Sequence, residues 1–175
     1  DLGLRKDDLD IVTIEIQEPN GMILNTGPTG SGKTTTLYSF LKQRHSSKIK
    51  IITIEDPIEY NIEGIEQTQV NEEKGYTFSN GLSAVMRQDP DVILIGEIRD
   101  AETANTAVQS ALTGHLVFST VHANEAAGSI PRLLDLNVKP TSIGPALNMI
   151  MAQRLVRKLC ENCKKQTEVD DEIRV

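Results

Sequence analysis

Hydrophobic residues along this chain fall into short runs and into helical repeats, in alternation. A run of four to six apolar residues is typical of a strand, and an unbroken one such as residues 92–95 is typical of a strand buried on both faces. Residues 11–16 instead alternate apolar and polar positions, which predicts a half-buried strand. We predict strands over residues 11–16, 22–25, 49–54, 65–70, 92–95 and 116–121.

Between these runs, apolar residues recur every three or four positions, as they do on one face of a helix. Asp100 stands where a helix needs a cap, and Gly114 follows the same predicted helix as its terminator. Pro131 and Pro145 lie in the first turns of two further predicted helices, where proline is tolerated. We predict helices over residues 33–45, 78–89, 101–112, 129–136 and 142–156.

Strands that alternate with helices of about ten to fifteen residues are typical of an α/β fold, with a mostly parallel sheet flanked by helices. We place residues 65–70 at the sheet edge and residues 92–95 near its centre. Aromatic residues make up only 3% of the chain, so the core must consist mainly of Ile, Leu, Val and Ala. At 175 residues and 38% hydrophobic content, the chain fits one domain with a short tail.

The net charge of the chain is −7, from 18 basic and 25 acidic side chains. Proteins that bind nucleic acid usually concentrate positive charge on one face, because neutralising phosphates supplies much of their affinity. The one basic cluster lies near the C-terminus, and we interpret it as a solvated helix face. It consists of Arg154, Arg157, Lys158, Lys164 and Lys165. Nucleic acid is therefore not the expected partner.

No apolar run reaches the roughly 18–20 residues that span a bilayer, and no secretory signal peptide is visible. The chain begins with Asp1 rather than Met, so we expect a fragment of a longer protein. Its two cysteines stand three positions apart, which excludes a disulfide scaffold and fits a reducing, cytosolic location.

A glycine-rich segment follows the strand predicted at residues 22–25 and opens the next helix. It matches the pattern G-x-x-x-x-G-K-[ST] at every fixed position. Its glycines let backbone N–H groups turn around an anion, Lys33 can reach the β- and γ-phosphates, and the Thr34 hydroxyl can bind Mg²⁺. The loop alone indicates a nucleoside triphosphate and does not separate a kinase from a motor. The residues predicted to bind the phosphates are Gly27, Pro28, Thr29, Gly30, Ser31, Gly32, Lys33, Thr34 and Thr35.

Hydrolysis also needs carboxylates that bind the metal or orient water. Glu55 and Glu97 each follow directly after a predicted strand, at the ends where open α/β sheets bind ligands. Glu59 stands close to Glu55 in sequence, and a surface ion pair is an equal alternative for it. After the last predicted strand, His122 can donate a hydrogen bond to a γ-phosphate or make a structural one.

Four segments in fixed order resemble those of the ATPases of type II secretion and type IV pilus assembly. They are the phosphate loop at residues 27–34, the acidic segment 51–60, the Walker B segment 93–100 and the histidine segment 113–124. The resemblance covers nearly the whole chain. It implies a RecA-like P-loop NTPase fold and a homohexameric ring that binds ATP between its subunits.

The same resemblance implies a function and a place in the cell. Hydrolysis would power the addition of pilin or pseudopilin subunits through an inner-membrane platform protein. The location would be cytoplasmic, at the inner face of the membrane and reached only through partners. Glu55 would position the attacking water, Glu97 would hold Mg²⁺ through water and His122 would contact the γ-phosphate. Which of Glu55 and Glu97 acts as the base stays open.

Two arginines match the family pattern without a settled role. Arg87 and Arg99 flank the Walker B segment, and surface ion pairing is an equal alternative to phosphate contact for both.

Residues 153–163 resemble the start of the cysteine-rich subdomain of the assembly and secretion members. We therefore divide the chain into an ATPase core, residues 1–159, and the start of that subdomain, residues 160–175. Such a subdomain binds Zn²⁺ with four thiolates, of which Cys160 and Cys163 are two. We expect no zinc without the missing second pair. The family's N-terminal domain is also missing, so we expect nucleotide binding and leave the activity of the isolated core open.

Two other classes of function are weighed against this hypothesis. A RecA- or helicase-like nucleic-acid motor predicts a basic channel with aromatic residues, and this acidic, aromatic-poor chain offers neither. A nucleotide-binding assembly module with incidental hydrolysis shares every motif above, so only kinetics separates it from a motor.

Overall fold

A six-stranded sheet forms the centre of the computed structural model, which describes residues 3–166. Its strands are β1 (Gly21–Thr26), β2 (Ile51–Glu55), β3 (Glu66–Gln69), β4 (Val92–Ile95), β5 (Leu116–Val121) and β6 (Leu147–Ala152). All neighbouring strands are parallel, and their order across the sheet is β3-β2-β4-β5-β1-β6. The predicted α/β fold with a parallel sheet is confirmed. The predicted edge position of residues 65–70 is confirmed as well.

Helices cover both faces of this sheet. They are α1 (Lys6–Glu15), α2 (Lys33–Arg44), α3 (Phe78–Val85), α4 (Ala101–Leu112), α5 (Ser129–Asp135) and α6 (Pro140–Ala146). Successive strand residues point to opposite faces. Ile23 therefore packs in the cluster with α1 and α2, whereas Met22 and Leu24 pack in the cluster with α3, α4 and α6. The two hydrophobic layers hold the sheet between them.

The start of α4 has the cap that the sequence predicts. Asp100 accepts a hydrogen bond from the backbone N–H of Thr103 at 2.8 Å through Oδ1, and one from the Thr103 hydroxyl at 2.8 Å through Oδ2. Gly114 follows the helix with a φ of +110°, a backbone angle that favours glycine. The cap matters for the site because β4 and α4 are joined by only five residues, 96–100.

The strand predicted at residues 11–16 is wrong, since residues 11–15 form the end of α1 and Ile16 caps that helix. Val12 and Ile16 are buried and stand four positions apart, which is the spacing of one helical face. Ile11 and Ile14 contribute to the alternation of apolar and polar positions, but they are 55% and 63% exposed. Two acidic residues in the first turn, Asp7 and Asp8, also favour a helix start.

The single helix predicted at residues 142–156 is also wrong. The structure has the short helix α6 and then β6, which pairs in parallel with β1 at the sheet edge. Pro145 consequently lies in the last turn of α6 rather than in a first turn, and Pro140 opens that helix. An apolar run of this length fits a helix or a strand, and pairing with β1 decides between them.

Parallel strands bring their carboxyl ends to one edge of the sheet, where open α/β folds bind ligands. The phosphate loop follows β1, Glu55 ends β2, Glu97 follows β4 and His122 follows β5. β5 lies between β1 and β4, so the loop and Glu97 face each other across one strand. In the part of the chain that the structure describes, no helix is long and apolar enough to cross a membrane.

Candidate functional site: a nucleotide cleft at the carboxyl edge of the sheet

The phosphate loop turns sharply between β1 and α2 because its three glycines take backbone angles that other residues avoid. Gly27 has a φ of +144°, Gly30 has a φ of +75° and Gly32, the residue before α2, has a φ of +89°. The helix that follows directs its first free N–H groups and the positive end of its dipole toward the loop. This combination is a binding site for an anion such as a phosphate.

Gln153 supports the loop from behind, and sequence reasoning missed it. Its side-chain Oε1 accepts hydrogen bonds from Asn25 at 3.0 Å and from the Thr36 hydroxyl at 2.8 Å. Its backbone N–H donates to the Thr26 carbonyl at 2.8 Å. Gln153 thus joins the end of β6 to both ends of the phosphate loop. The pairing of β6 with β1 would have been the signal, and the sequence prediction replaced β6 with a helix.

Lys33 lies over the loop that it follows. Its ammonium donates to the carbonyl oxygens of Gly27 at 2.9 Å and Pro28 at 3.1 Å. Thr34 and Thr35 are exposed in the first turn of α2 and line the same cleft. The Ser31 hydroxyl is buried and has no hydrogen-bond partner among the described residues. A buried hydroxyl without a partner in the loop is a polar position available to a ligand.

Glu55 is held at the end of β2 by three donors. Tyr38 donates from α2 to Oε2, and the Thr53 hydroxyl donates to Oε1. Gln67, on the edge strand β3, donates to Oε1 at 3.1 Å. The residue is only 2% exposed, yet it lines the cleft. A carboxylate this buried needs such donors, because an unpaired buried charge is costly.

Glu97 is paired with two basic groups. Arg99 contacts its Oε1 at 2.5 Å, and the ring Nε2 of His122 lies 3.1 Å from its Oε2. Partial burial raises the pKa of Glu97, but the hydrogen bonds and charges of Arg99 and His122 outweigh it, so the pKa lies below its ordinary value. Glu97 is therefore ionised at neutral pH and stands ready to interact with cations.

These groups surround one cleft of about 630 Å³. Lys33, Glu55, Glu97 and His122 all line it, although they come from four separate segments of the chain. Asp56, Glu59, Tyr60 and Arg99 complete its far wall. Arg87 lies apart from the cleft, in the exposed turn after α3.

The donors in the cleft fit Mg²⁺ bound together with a nucleotide. Mg²⁺ usually takes one or two protein ligands and fills its other positions with phosphate oxygens and water. The Thr34 hydroxyl and the Glu97 carboxylate both line the cleft and could supply such ligands. Among residues 3–166, no group of three or more His, Cys, Asp or Glu side chains is arranged to hold a metal by itself.

The two cysteines lie far along the chain from this cleft, in an exposed turn after β6. A backbone hydrogen bond from Asn162, followed by side-chain and backbone hydrogen bonds from Cys163, lowers the pKa of the Cys160 thiol. Low thiol pKa values favour metal binding, but two thiolates are half of a tetrahedral zinc site. Most of the predicted subdomain, residues 167–175, lies outside the described residues.

A strand, a glycine-rich phosphate loop and a helix within a parallel sheet define a P-loop NTPase with a RecA-like α/β core. The comparisons with known proteins then identify the family. The sequence profile of the family described as "Type II/IV secretion system protein" matches residues 1–174, and the chain belongs to this family.

Curated relatives come from both branches that the sequence resembles. The type II secretion system ATPase E of Vibrio cholerae is 56% identical over 159 residues, which are 91% of this chain and 32% of that protein. The type IV pilus assembly ATPase PilB of Pseudomonas aeruginosa is 50% identical over 171 residues, which are 98% of this chain and 30% of that protein. The chain thus spans about a third of the length of these relatives.

Among solved structures, the pilus retraction motor PilT with bound ADP is similar to this chain with a TM-score of 0.76 and 40% identity. The match covers 88% of this chain and 47% of that one. The chain therefore has the fold of a pilus motor ATPase of known structure.

Proposed function

We propose that this chain is the ATP-hydrolysing core of a motor subunit that powers assembly of a type IV pilus or a type II secretion pseudopilus. The observation that carries the proposal is the convergence of Lys33, Glu55, Glu97 and His122 on one cleft beside the phosphate loop. Nucleotide binding alone would need the loop and Lys33. The two carboxylates and the histidine are the additional groups that hydrolysis requires.

Each of these residues has a distinct proposed role. The loop N–H groups and Lys33 bind the β- and γ-phosphates of ATP, and Lys33 exchanges its bonds to the Gly27 and Pro28 carbonyls for phosphate oxygens. Glu55 orients the attacking water, because it is buried at the cleft wall and held by three donors. His122, exposed on the opposite wall, donates to the γ-phosphate.

Glu97 and Thr34 would hold Mg²⁺, which when bound neutralises charge on the phosphates. Two observations favour this role for Glu97 over that of the base. Its carboxylate already pairs with the cationic Arg99, and its lowered pKa makes it a weak proton acceptor. Arg99 pairs with the same carboxylate and lines the cleft, and both observations support a position for Arg99 near the bound nucleotide.

The wider assembly is proposed from the family resemblance described in the sequence analysis. In the whole protein the subunits form a homohexamer, bind ATP between neighbours and act on an inner-membrane platform protein from the cytoplasmic side. Residues 1–159 form the ATPase core, and residues 160–175 begin a cysteine-rich subdomain that binds zinc when its second cysteine pair is present. Nucleic acid is not a partner in this proposal.

The test uses the full-length protein that contains this chain. Lys33→Ala and Glu97→Gln are expected to lower the ATP hydrolysis rate by about a hundredfold or more, because each removes charge stabilisation from the transition state. Both variants should also abolish secretion or piliation in a complementation assay. Lys48→Ala and Glu102→Gln, exposed residues outside the cleft, are the matched controls and should behave like the wild type.

Two results would contradict the proposal. Normal secretion or piliation by both site variants would reduce the chain to an assembly module with incidental hydrolysis. Tight and salt-sensitive binding of single-stranded DNA would indicate a nucleic-acid motor instead.

A further inference from the structure

The network around Glu55 contains two residues that no motif of the sequence includes. Tyr38 lies in α2, one and a half turns after Lys33, and is fully buried. Gln67 lies in the edge strand β3 and is partly buried. Both contact the Glu55 carboxylate, and Gln67 also donates to the Tyr38 hydroxyl at 3.3 Å. The three side chains form one set, in which each is hydrogen-bonded to the other two.

The direction of each hydrogen bond in this set is fixed by its neighbours. The Ile62 backbone N–H can only donate, and it lies 2.6 Å from Gln67 Oε1, so the Gln67 amide nitrogen must face Glu55. Burial first, and then the bond to Glu55, raise the pKa of Tyr38 well above its ordinary value. Tyr38 therefore stays protonated, and its hydroxyl donates a hydrogen bond to the Glu55 carboxylate.

The three donors occupy most, but not all, of the acceptor positions of the Glu55 carboxylate. A carboxylate has about four acceptor positions, two on each oxygen. Thr53 and Gln67 fill both positions on Glu55 Oε1, and Tyr38 fills one on Oε2. Within residues 3–166, one position on Oε2 is left, on a residue that lines the cleft.

We propose that Tyr38 and Gln67 are positioning residues that orient Glu55 so that the remaining acceptor position of its Oε2 takes the attacking water. This inference rests on the proposed role of Glu55 in hydrolysis. Tyr38 adds a link along α2, since the same helix begins at the phosphate loop and carries Tyr38 on its buried face. The same helix thus connects the proposed phosphate site with a residue that orients Glu55.

Tyr60 covers the outer side of this set. Its ring packs edge-on against Tyr38 with centroids 4.8 Å apart, and the Lys42 ammonium lies 4.9 Å above its face. Removal of the Tyr38 hydroxyl alone leaves this ring packing in place. Tyr38→Phe is thus a variant that keeps the ring packing and deletes the two hydrogen bonds of the hydroxyl, the one donated to Glu55 and the one accepted from Gln67.

The experiment measures ATP hydrolysis by the full-length protein, with kcat and KM determined separately. Tyr38→Phe is expected to lower kcat about tenfold, because a hydrogen bond to a charged group is lost, and to change KM less than about twofold. Tyr76→Phe is the matched control. It removes a tyrosine hydroxyl that bonds Thr68 at 3.0 Å, outside the residues lining the cleft, and should keep kcat within about twofold of the wild type.

Gln67→Glu is the second variant. It keeps the acceptor for Ile62 but replaces the donor facing Glu55 with a like charge, so kcat should fall at least tenfold. Gln69→Glu places the same charge two positions along the same strand, exposed and outside the lining of the cleft, and should leave kcat unchanged.

A double-mutant cycle separates positioning from a general structural effect. Tyr38→Phe should have no further effect on the residual rate of Glu55→Gln, because its hydroxyl acts only through that carboxylate. An equal loss in both backgrounds, or a wild-type kcat for Tyr38→Phe, would overturn the inference while leaving the role of Glu55 intact. If Glu55→Gln itself hydrolyses ATP at the wild-type rate, the proposed role of Glu55 fails and the inference falls with it.

Discussion

The backbone carbonyl oxygen of Gln153 fills the space that a Cβ atom on Gly27 would occupy. The side-chain Nε2 of the same residue lies 3.0 Å from the Cβ position of Gly32. A residue more than a hundred positions away thus requires glycine at position 27, and at position 32 it leaves only a tight fit for a Cβ atom. Their positive φ angles are a second reason for glycine at both positions.

Gly27→Ala is expected to destabilise the protein by roughly 2–4 kcal/mol, since strain at a positive φ and a backbone clash add together. The free energy of unfolding, measured by denaturant titration, tests this. ATP binding should weaken at the same time, because the loop must move away from Gln153. Gly144→Ala is the control, as this glycine lies in α6 with no atom near its Cβ position and an ordinary backbone angle. It should be neutral or stabilise by up to about 1 kcal/mol.

Gln153→Ala should cost about 1–3 kcal/mol in the free energy of unfolding. The change leaves the buried Asn25 amide and Thr36 hydroxyl without their acceptor. Because both partners flank the phosphate loop, the affinity for ATP should fall as well, which a titration with a fluorescent nucleotide would measure. Gln109→Ala, at an exposed position of α4, should stay within about 0.5 kcal/mol of the wild type. Equal stability of the two variants would contradict the support of the loop by Gln153.

The pH dependence of stability should differ between the wild type and Glu97→Gln. The pKa of Glu97 is lower in the folded state than in the unfolded state, so its ionised form stabilises the fold. That contribution is fully present above the ordinary glutamate pKa of about 4.3 and is lost as the pH falls through the lower folded value. At pH 7 the wild type should therefore have a higher denaturation midpoint than Glu97→Gln. This gap between the two midpoints should close in more acidic solution. Glu18→Gln, at an exposed position, should show no such gap at either pH.

Asp100→Ala should cost about 1 kcal/mol of stability through loss of the α4 cap. Asp100→Asn keeps an acceptor for the Thr103 N–H and should recover most of that loss. Thermal unfolding of both variants is the measurement. A full loss in the asparagine variant would show that the charge of Asp100, rather than the cap, is what stabilises this region.

Local sequence patterns were sufficient to predict the strand and the helix that carry the phosphate loop. The apolar run before Gly27 and the motif through Thr34 predict β1, the loop and the start of α2, because each depends on residues adjacent in sequence. Helix α4 and its cap Asp100 were predicted in the same way, from residues adjacent in sequence. Glu55 and Glu97 were also found as candidates, since each follows a buried strand.

The failures share one cause. Residues 11–16 and 147–152 are apolar segments that fit either helix or strand, and only contacts with distant segments decide between them. Val12 and Ile16 pack on the α2 face of the sheet, whereas residues 147–152 complete the hydrogen bonding of β1. The roles of Gln153, Tyr38 and Gln67 were missed for the same reason, since each depends on contacts with distant segments.

The sequence by itself determined that this chain is a P-loop protein of the α/β class, with carboxylates suited to hydrolysis at the ends of its strands. Backbone conformation in the loop and burial in the strands follow from neighbouring residues, so they can be read locally. Tertiary structure decided which side chains hold those groups in place: Gln153 behind Gly27, Tyr38 and Gln67 around Glu55, and Arg99 and His122 on Glu97. Such contacts join segments through strand order and helix packing, and therefore exist only once the sheet has formed.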